Sequence, residues 1–381
     1  MARDRRPLTA LRFAQPPIST EDIAAIRAPF RKATLLPAHA DDDEHVFGRV
    51  AEHFFFRDWI AVGRAEDVPD AGSFLLRDVF GENVLIVRIR DGLIRAKHPE
   101  DLEGFSFVAS GLTPIRCETW GGFVFLRFAD EATTPPLRTF MGDWFEHHEG
   151  FGRDLSTLRR AARLTNDVHA NWKIVAQNCS ECYDCPPVHS LLNKLTPYDL
   201  GEDFLADGPW KGGWMVFADG CETMSMDGLR HGRPLLCARD EVEASRIYYD
   251  ILWPNLILSV HPDYVRTHEA WPDGPNRSIV HCDLYVEADA LDTVDVAGAV
   301  DFWDMTNKED YHVVDLQQRG TRSRSRHAGR YSNQEASVHA FHIMVADRYA
   351  MDGVRTVRGW RRETASDRRL VTRKLGGGSA E

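Results

Sequence analysis

Two consecutive prolines, Pro186 and Pro187, interrupt the segment NWKIVAQNCSECYDCPPVHS that runs from Asn171 to Ser190, and they limit what it can become. Proline has no amide proton and drives the residue before it out of the helical region, so a helix entering at Trp172 has to end before the pair. The apolar run predicts that this helix continues through Glu181, with Asp184 on its last turn and His189 just past the stop. An acid, a second oxygen donor and an imidazole, Glu181, Asp184 and His189, therefore stand at iron-binding spacing.

The chain around this segment has 381 residues, 43% hydrophobic and 27% charged, enough for two domains with cores of their own. A net charge of -12 argues against a nucleic-acid binder, because phosphate neutralisation needs a surplus of lysine and arginine on one face. The local cluster Arg319, Arg322, Arg324, Arg326 and Arg330 reads as a solvated helix end or a subunit contact. No apolar run reaches membrane-spanning length. The most apolar stretch, IYYDILWPNLILSV, is broken by Asp250, Pro254 and Asn255 and predicts strands of a buried sheet. Seven cysteines in no even pattern, and no apolar leader in MARDRRPLTALRFAQPP, point to a reduced, cytoplasmic setting.

The pattern along the chain is α+β. Residues 1–40 carry five prolines and read as an N-terminal arm, and the acidic run Asp41 to Glu44 marks its boundary. A small antiparallel β domain is expected over 41–150, with strands around Phe74 to Leu76, Val84 to Ile89 and Gly122 to Phe128, and a hairpin turn at Asp91-Gly92. The helical stretch FMGDWFEHHEGF bridges to a larger domain over 151–375, which carries antiparallel strands between Tyr248 and Val286 and helices at 297–318 and 336–350. Residues 376–381, GGGSAE, are expected from composition to be a flexible tail.

The order of these parts resembles the α subunits of Rieske non-heme iron oxygenases. The likeness runs from FFRDWIAVGRAEDVPDAGSFLLRD at 55–78, through RCETWGGFVFLRF at 116–128, to QQRGTRSRSR at 317–326. In that family the catalytic segment reads Asn-Trp-Lys and then Glu-x2-His-x4-His, and two histidines with a distant carboxylate hold a mononuclear Fe(II). Here Asp184 stands in the position of the first histidine and His189 in that of the second. The resemblance implies a Rieske-like β domain followed by a helix-grip catalytic-type domain, a trimer of like or mixed subunits, a small organic substrate, and a reductase or Rieske partner. It also gives Glu181 a catalytic role, as the acid that bridges the cluster of one subunit to the iron of the next.

A Rieske [2Fe-2S] centre needs two cysteines on one iron and two histidines on the other. Cys117 is the only cysteine before residue 150, and after Ala96 the chain runs KHPEDLEGFSFVAS directly towards the strand containing it. No such cluster is therefore expected in this chain, and a cluster-bearing homologue becomes the expected partner. The resemblance takes the third iron ligand from the late segment EDYHVVDLQQRG. On that resemblance Asp310 fits best, seven residues before Gln317, with Glu309 and Asp304 as rivals; periodicity alone does not choose, because an apolar stripe of Phe302, Met305, Val313 and Leu316 takes in Glu309 and leaves Asp310 at its flank. Cys179, Cys182 and Cys185 lack a fourth partner at short spacing and are expected to be packing cysteines.

Overall fold

The computed structural model describes residues 16–89, 94–95, 115–129, 135–149, 154–205, 208–236, 240–325 and 329–350. Its centre is a seven-stranded antiparallel sheet in the order β7-β13-β12-β11-β10-β9-β8. The strands are β7 (Leu158–Val168), β8 (Gly201–Leu205), β9 (Trp210–Val216), β10 (Arg246–Leu252), β11 (Leu256–Val260), β12 (Val265–Pro272) and β13 (Ser278–Glu287). The apolar stretch from Ile247 to Val260 does supply two strands, β10 and β11, with Pro254 and Asn255 in the tight turn between them. Both strands are buried on both faces, which is why their sequence is nearly continuous in apolar residues instead of alternating.

Helices cover one face of this sheet. They are α4 (Trp172–Asn178) and α7 (Ala297–Thr321), where α1 is Thr20–Ile26, α2 Leu137–Met141, α3 Trp144–Glu149, α5 Cys185–Val188, α6 Ser190–Leu195 and α8 Ala336–Ala350. On α7, Asn307 accepts from or donates to His268 Nε2 of β12 at 2.9 Å, and Trp303 lies under the Arg266 guanidinium at 3.5 Å from its ring centre. The buried face of α7 is Phe302, Trp303, Thr306, Asn307, Val314 and Gln318. The apolar stripe expected from sequence is thus misplaced: Leu316 is half exposed, and the helix turns towards the sheet along a mixed row into which Asp310 falls. Polar residues with partners on the sheet take inward positions that hydrophobicity alone assigns to leucine and valine.

The opposite face is closed by the N-terminal part of the chain. Two three-stranded sheets form there, β1-β6-β5 from β1 (Ile60–Arg64), β5 (Arg116–Trp120) and β6 (Phe123–Arg127), and β2-β3-β4 from β2 (Phe74–Val79), β3 (Glu82–Arg88) and β4 (Ile94–Arg95). Gly121 and Gly122 join β5 to β6 with φ of 54° and 81°, the left-handed pair that a two-residue hairpin needs. A Cβ on Gly122 would meet the Arg64 guanidinium at 2.7 Å. The hairpin between β2 and β3 turns at Phe80-Gly81, a position the sequence did not flag, and Asp78 secures it by accepting from Gly81 N at 3.0 Å. The expected turn at Asp91-Gly92 lies outside the described residues.

Asn255 ties the two parts together. Its amide accepts from Ala61 N at 3.1 Å and donates to Ala61 O at 2.8 Å, replacing the strand neighbour that β1 lacks there. Arg64 completes the seam: it donates to Gly121 O, Leu155 O and Leu158 O while lying over the rings of Phe123 and Tyr285. The chain adopts the α+β class with antiparallel sheets that its sequence leads one to expect. No helix among the described residues is long and apolar enough to cross a membrane.

Candidate metal centre

Asn171 starts α4 by accepting the Lys173 amide on its side chain at 3.0 Å, a cap that fixes where the helix begins. Its own amide is held by Gln318 Oε1 of α7 at 2.7 Å, so the start of α4 is locked to α7. The helix then ends at Asn178, not beyond Glu181 as expected. Ser180 turns its hydroxyl back onto Ala176 O at 2.5 Å, and the chain leaves the helix before the prolines can act as its stop. Pro186 and Pro187 sit instead in the first turn of α5, where a missing amide proton costs nothing, and Asp184 precedes that helix. His189 stands at the junction of α5 and α6.

A second expectation also fails. Cys182 and Cys185 are not packing thiols but are joined by a disulfide, their Cα atoms 5.0 Å apart across the turn that holds Asp184. Cys179 remains a thiol, and burial pushes it up to about 12, with the Asp310 carboxylate adding to the effect. A thiol so resistant to ionisation is a poor metal ligand.

These turns bring Asp184, His189 and Asp310 together, with one donor atom from each lying within 4.8 Å of the others. His189 Nε2 is 3.0 Å from Asp310 Oδ1 and 4.0 Å from Asp184 Oδ2. Its other nitrogen, Nδ1, is 2.9 Å from Glu309 Oε2, so Glu309 touches the far side of the ring. Asn178 donates to Asp310 Oδ1 at 2.5 Å and holds that carboxylate in place. Asp304 stands apart, paired with Lys308 at 2.5 Å on the outer face of α7. Glu309, carried in sequence as a rival ligand, is the natural orienter of the imidazole. The signal that separates the two acids is helical phase, because residue 310 follows 303 and 307 on the sheet side.

Negative charge outweighs positive charge around the His189 ring. Burial pulls the His189 imidazole down, yet hydrogen bonding to Asp310 and Glu309 outweighs it and lifts the ring to about 9. Burial and the nearby Asp310 charge raise the Asp184 carboxyl, whose Oδ2 is buried and makes no hydrogen bond among the described residues. One imidazole thus faces three carboxylates, and the buried Asp184 Oδ2, 4.0 Å from His189 Nε2, lacks a hydrogen bond among the described residues. A divalent cation between Asp184 Oδ2, His189 Nε2 and Asp310 Oδ1 would meet all of these needs, and oxygen-rich donors with a single imidazole suit Fe(II) or Mn(II).

Glu181 lies just outside this group, in the turn after α4. Burial, and then the Asp184 charge, push its carboxyl up to about 8, and its Oε2 accepts from Tyr183 N. Beside Asp310 a narrow, mainly apolar cavity opens between α4, α7 and the sheet, lined by Val175, Cys179, His268, Val280, Tyr311 and Val314.

Residues 155–351 match the family model described as ring hydroxylating alpha subunit, catalytic domain. The chain belongs to that family. It is 24% identical to the glycine betaine monooxygenase oxygenase subunit of Pseudomonas aeruginosa, over 80% of this chain and 89% of that protein. It is 22% identical to the carnitine monooxygenase oxygenase subunit of Escherichia coli, over 77% of this chain and 86% of that one. Among solved structures, a quaternary ammonium Rieske monooxygenase superposes with a TM-score of 0.70 at 19% identity, over 86% of this chain and 98% of the other. A naphthalene 1,2-dioxygenase from Rhodococcus superposes at 0.64 with 15% identity, over 87% and 98%. The shared fold is that of oxygenase α subunits, a family whose catalytic domains carry mononuclear iron.

Proposed function

We propose that this chain is a non-self-sufficient subunit of a hydroxylating or demethylating oxygenase complex, holding Fe(II) through Asp184, His189 and Asp310 and drawing electrons from a Rieske centre on another chain. The observation that carries this reading is the convergence of those three donors, with Asp184 Oδ2 buried and unmet. Bound Fe(II) would supply open coordination positions for dioxygen. The chain's own residues do the rest: Glu309 holds the His189 ring with Nε2 turned inward, and Asn178 fixes Asp310. Two carboxylates make the site more anionic than a two-histidine set, which weakens retention of Fe(II) relative to that set.

Dependence on a partner rests on Cys117. Burial pushes this thiol up to about 12, and no second cysteine precedes residue 150, whereas a [2Fe-2S] centre needs two thiolates. Glu181, a half-buried acid beside Asp184, would then face a neighbouring subunit's cluster in a homo- or hetero-trimer. The names of the relatives point to quaternary ammonium compounds as the substrate class. Asp184 also favours a second reading, an accessory subunit that keeps the pocket and leaves turnover to a cluster-bearing homologue.

Anaerobic loading with Fe(II), followed by metal analysis and a visible spectrum, tests the proposal. The expected result is stoichiometric iron without iron-sulfur absorption, together with turnover only when a cluster-bearing partner is added. Iron far below stoichiometry leaves the accessory reading alone. Iron-sulfur absorption from the purified chain itself would overturn both.

A further inference from the structure

We propose a second divalent-metal site, of the zinc class, on the other face of the large sheet, formed by His147 and His148 of α3 and Asp250 of β10. It is independent of the proposed iron site. Asp250 lies opposite Leu258 and Gly212 in the sheet register, whereas its neighbours Tyr249 and Ile251 share the other face with Arg266 and His268, which meet α7. The sheet therefore separates the two donor groups.

Consecutive residues of a helix point roughly 100° apart, yet here both imidazoles converge on one oxygen. His148 Nε2 is 2.6 Å and His147 Nε2 3.7 Å from Asp250 Oδ2, with the two rings inclined at 84°. Zinc bonds of about 2.0–2.2 Å to nitrogen and oxygen place neighbouring donors about 3.3 Å apart. Replacing the proton of the short pair by the ion thus requires shifts below about 1 Å. Asp250 is fully buried, and its other oxygen, Oδ1, makes no hydrogen bond among the described residues. A buried carboxylate with an unmet oxygen costs stability that a bound cation returns.

Surroundings and access fit as well. Trp120 and Trp144 pack on the His148 ring at 5.0 and 4.8 Å, and Trp210 on His147 at 5.3 Å, an apolar shell that strengthens charge interactions inside it. His147 keeps 22% of its side chain exposed and so leaves an entry path, and the Asp143 and Glu243 charges act on it from the rim. Such an ion would pin the linker helix α3 to the middle of the sheet.

The test uses full-length protein carrying His189→Gln, which removes the proposed iron site, after dialysis against a chelator. Added Zn(II) is expected to bind at one per chain by metal analysis and to raise Tm, and Co(II) to give the visible bands of tetrahedral coordination. A further His147→Gln change, at a partly exposed position, should weaken zinc binding by about 100-fold or more while leaving the circular dichroism spectrum intact. Absence of stoichiometric zinc in the His189→Gln protein would overturn the site. So would zinc binding that both His147→Gln and Asp250→Asn leave unchanged.

Discussion

The two faces of the central sheet treat charge in opposite ways. On the helix side, His189 is crowded by Asp184, on the turn before α5, and by Glu309 and Asp310 from the middle of α7, all three still partly open to solvent. On the other side a single carboxylate, Asp250, fully buried on a strand, faces two imidazoles. The first arrangement has more negative charge than its imidazole can balance, as expected of a site kept for a ligand at the expense of stability. The second is close to balanced and built into the core. The difference teaches that a cluster of ligand-type residues is best read by its charge balance and by how deeply its carboxylates are buried.

The strongest way to break this contrast is to remove the strand-side carboxylate. Asp250→Ala strips His148 of its buried partner and should lower the unfolding free energy by about 3–5 kcal/mol in urea titration. A loss no larger than that of a surface substitution would mean the pair is not part of the core. Glu309→Gln tests the helix side: it should weaken Fe(II) binding by about 10–100-fold, the usual cost of losing the group that orients a ligating imidazole, with little change in stability. Equal iron affinity in the two proteins would remove Glu309 from the site.

Asp184→Asn sharpens the comparison by reversing its sign. Removing one of the crowding carboxylates should raise the stability of the metal-free protein by about 1 kcal/mol while reducing its iron content. Lower stability would show that the carboxylates are not in excess. Lys173 adds a pH test. Burial pushes its ammonium down to about 8, the Asp41 charge opposing only in part. A lysine lowered in the folded state resists the proton that the unfolded chain accepts, so the cost is full below pH 8 and fades as pH rises towards 10.5. Lys173→Met should therefore be the more stable protein below pH 8 and lose that advantage above it. A difference that does not vary with pH would exclude titration of Lys173 as its cause.

Much of this was legible in the chain. The apolar run of β10 and β11, the start of α7 at 297 and the whole of α8 follow from pattern alone, because each is long and strongly biased. Asp184, His189 and Asp310 were each expected, and the structure draws them together. What the sequence hid depends on contacts distant along the chain. The early end of α4 comes from Ser180 and the turn bridged by Cys182 and Cys185, and the phase of α7 is set by polar partners on β12. Helical periodicity could not choose between Glu309 and Asp310, because it assumes that the inward face is apolar and the stripe it finds takes in Glu309 with Asp310 at its flank. His147 and His148 gave no signal, since their partner lies a hundred residues away in a strand that reads as pure core.

Asn255 has one further consequence. By imitating a peptide unit towards Ala61, it knits the small sheet into the large one as a continuous fabric. The N-terminal part is then not a detachable module but the floor of the larger sheet. Cutting the chain near residue 150 would lay bare the aromatic seam at Phe123 and Tyr285.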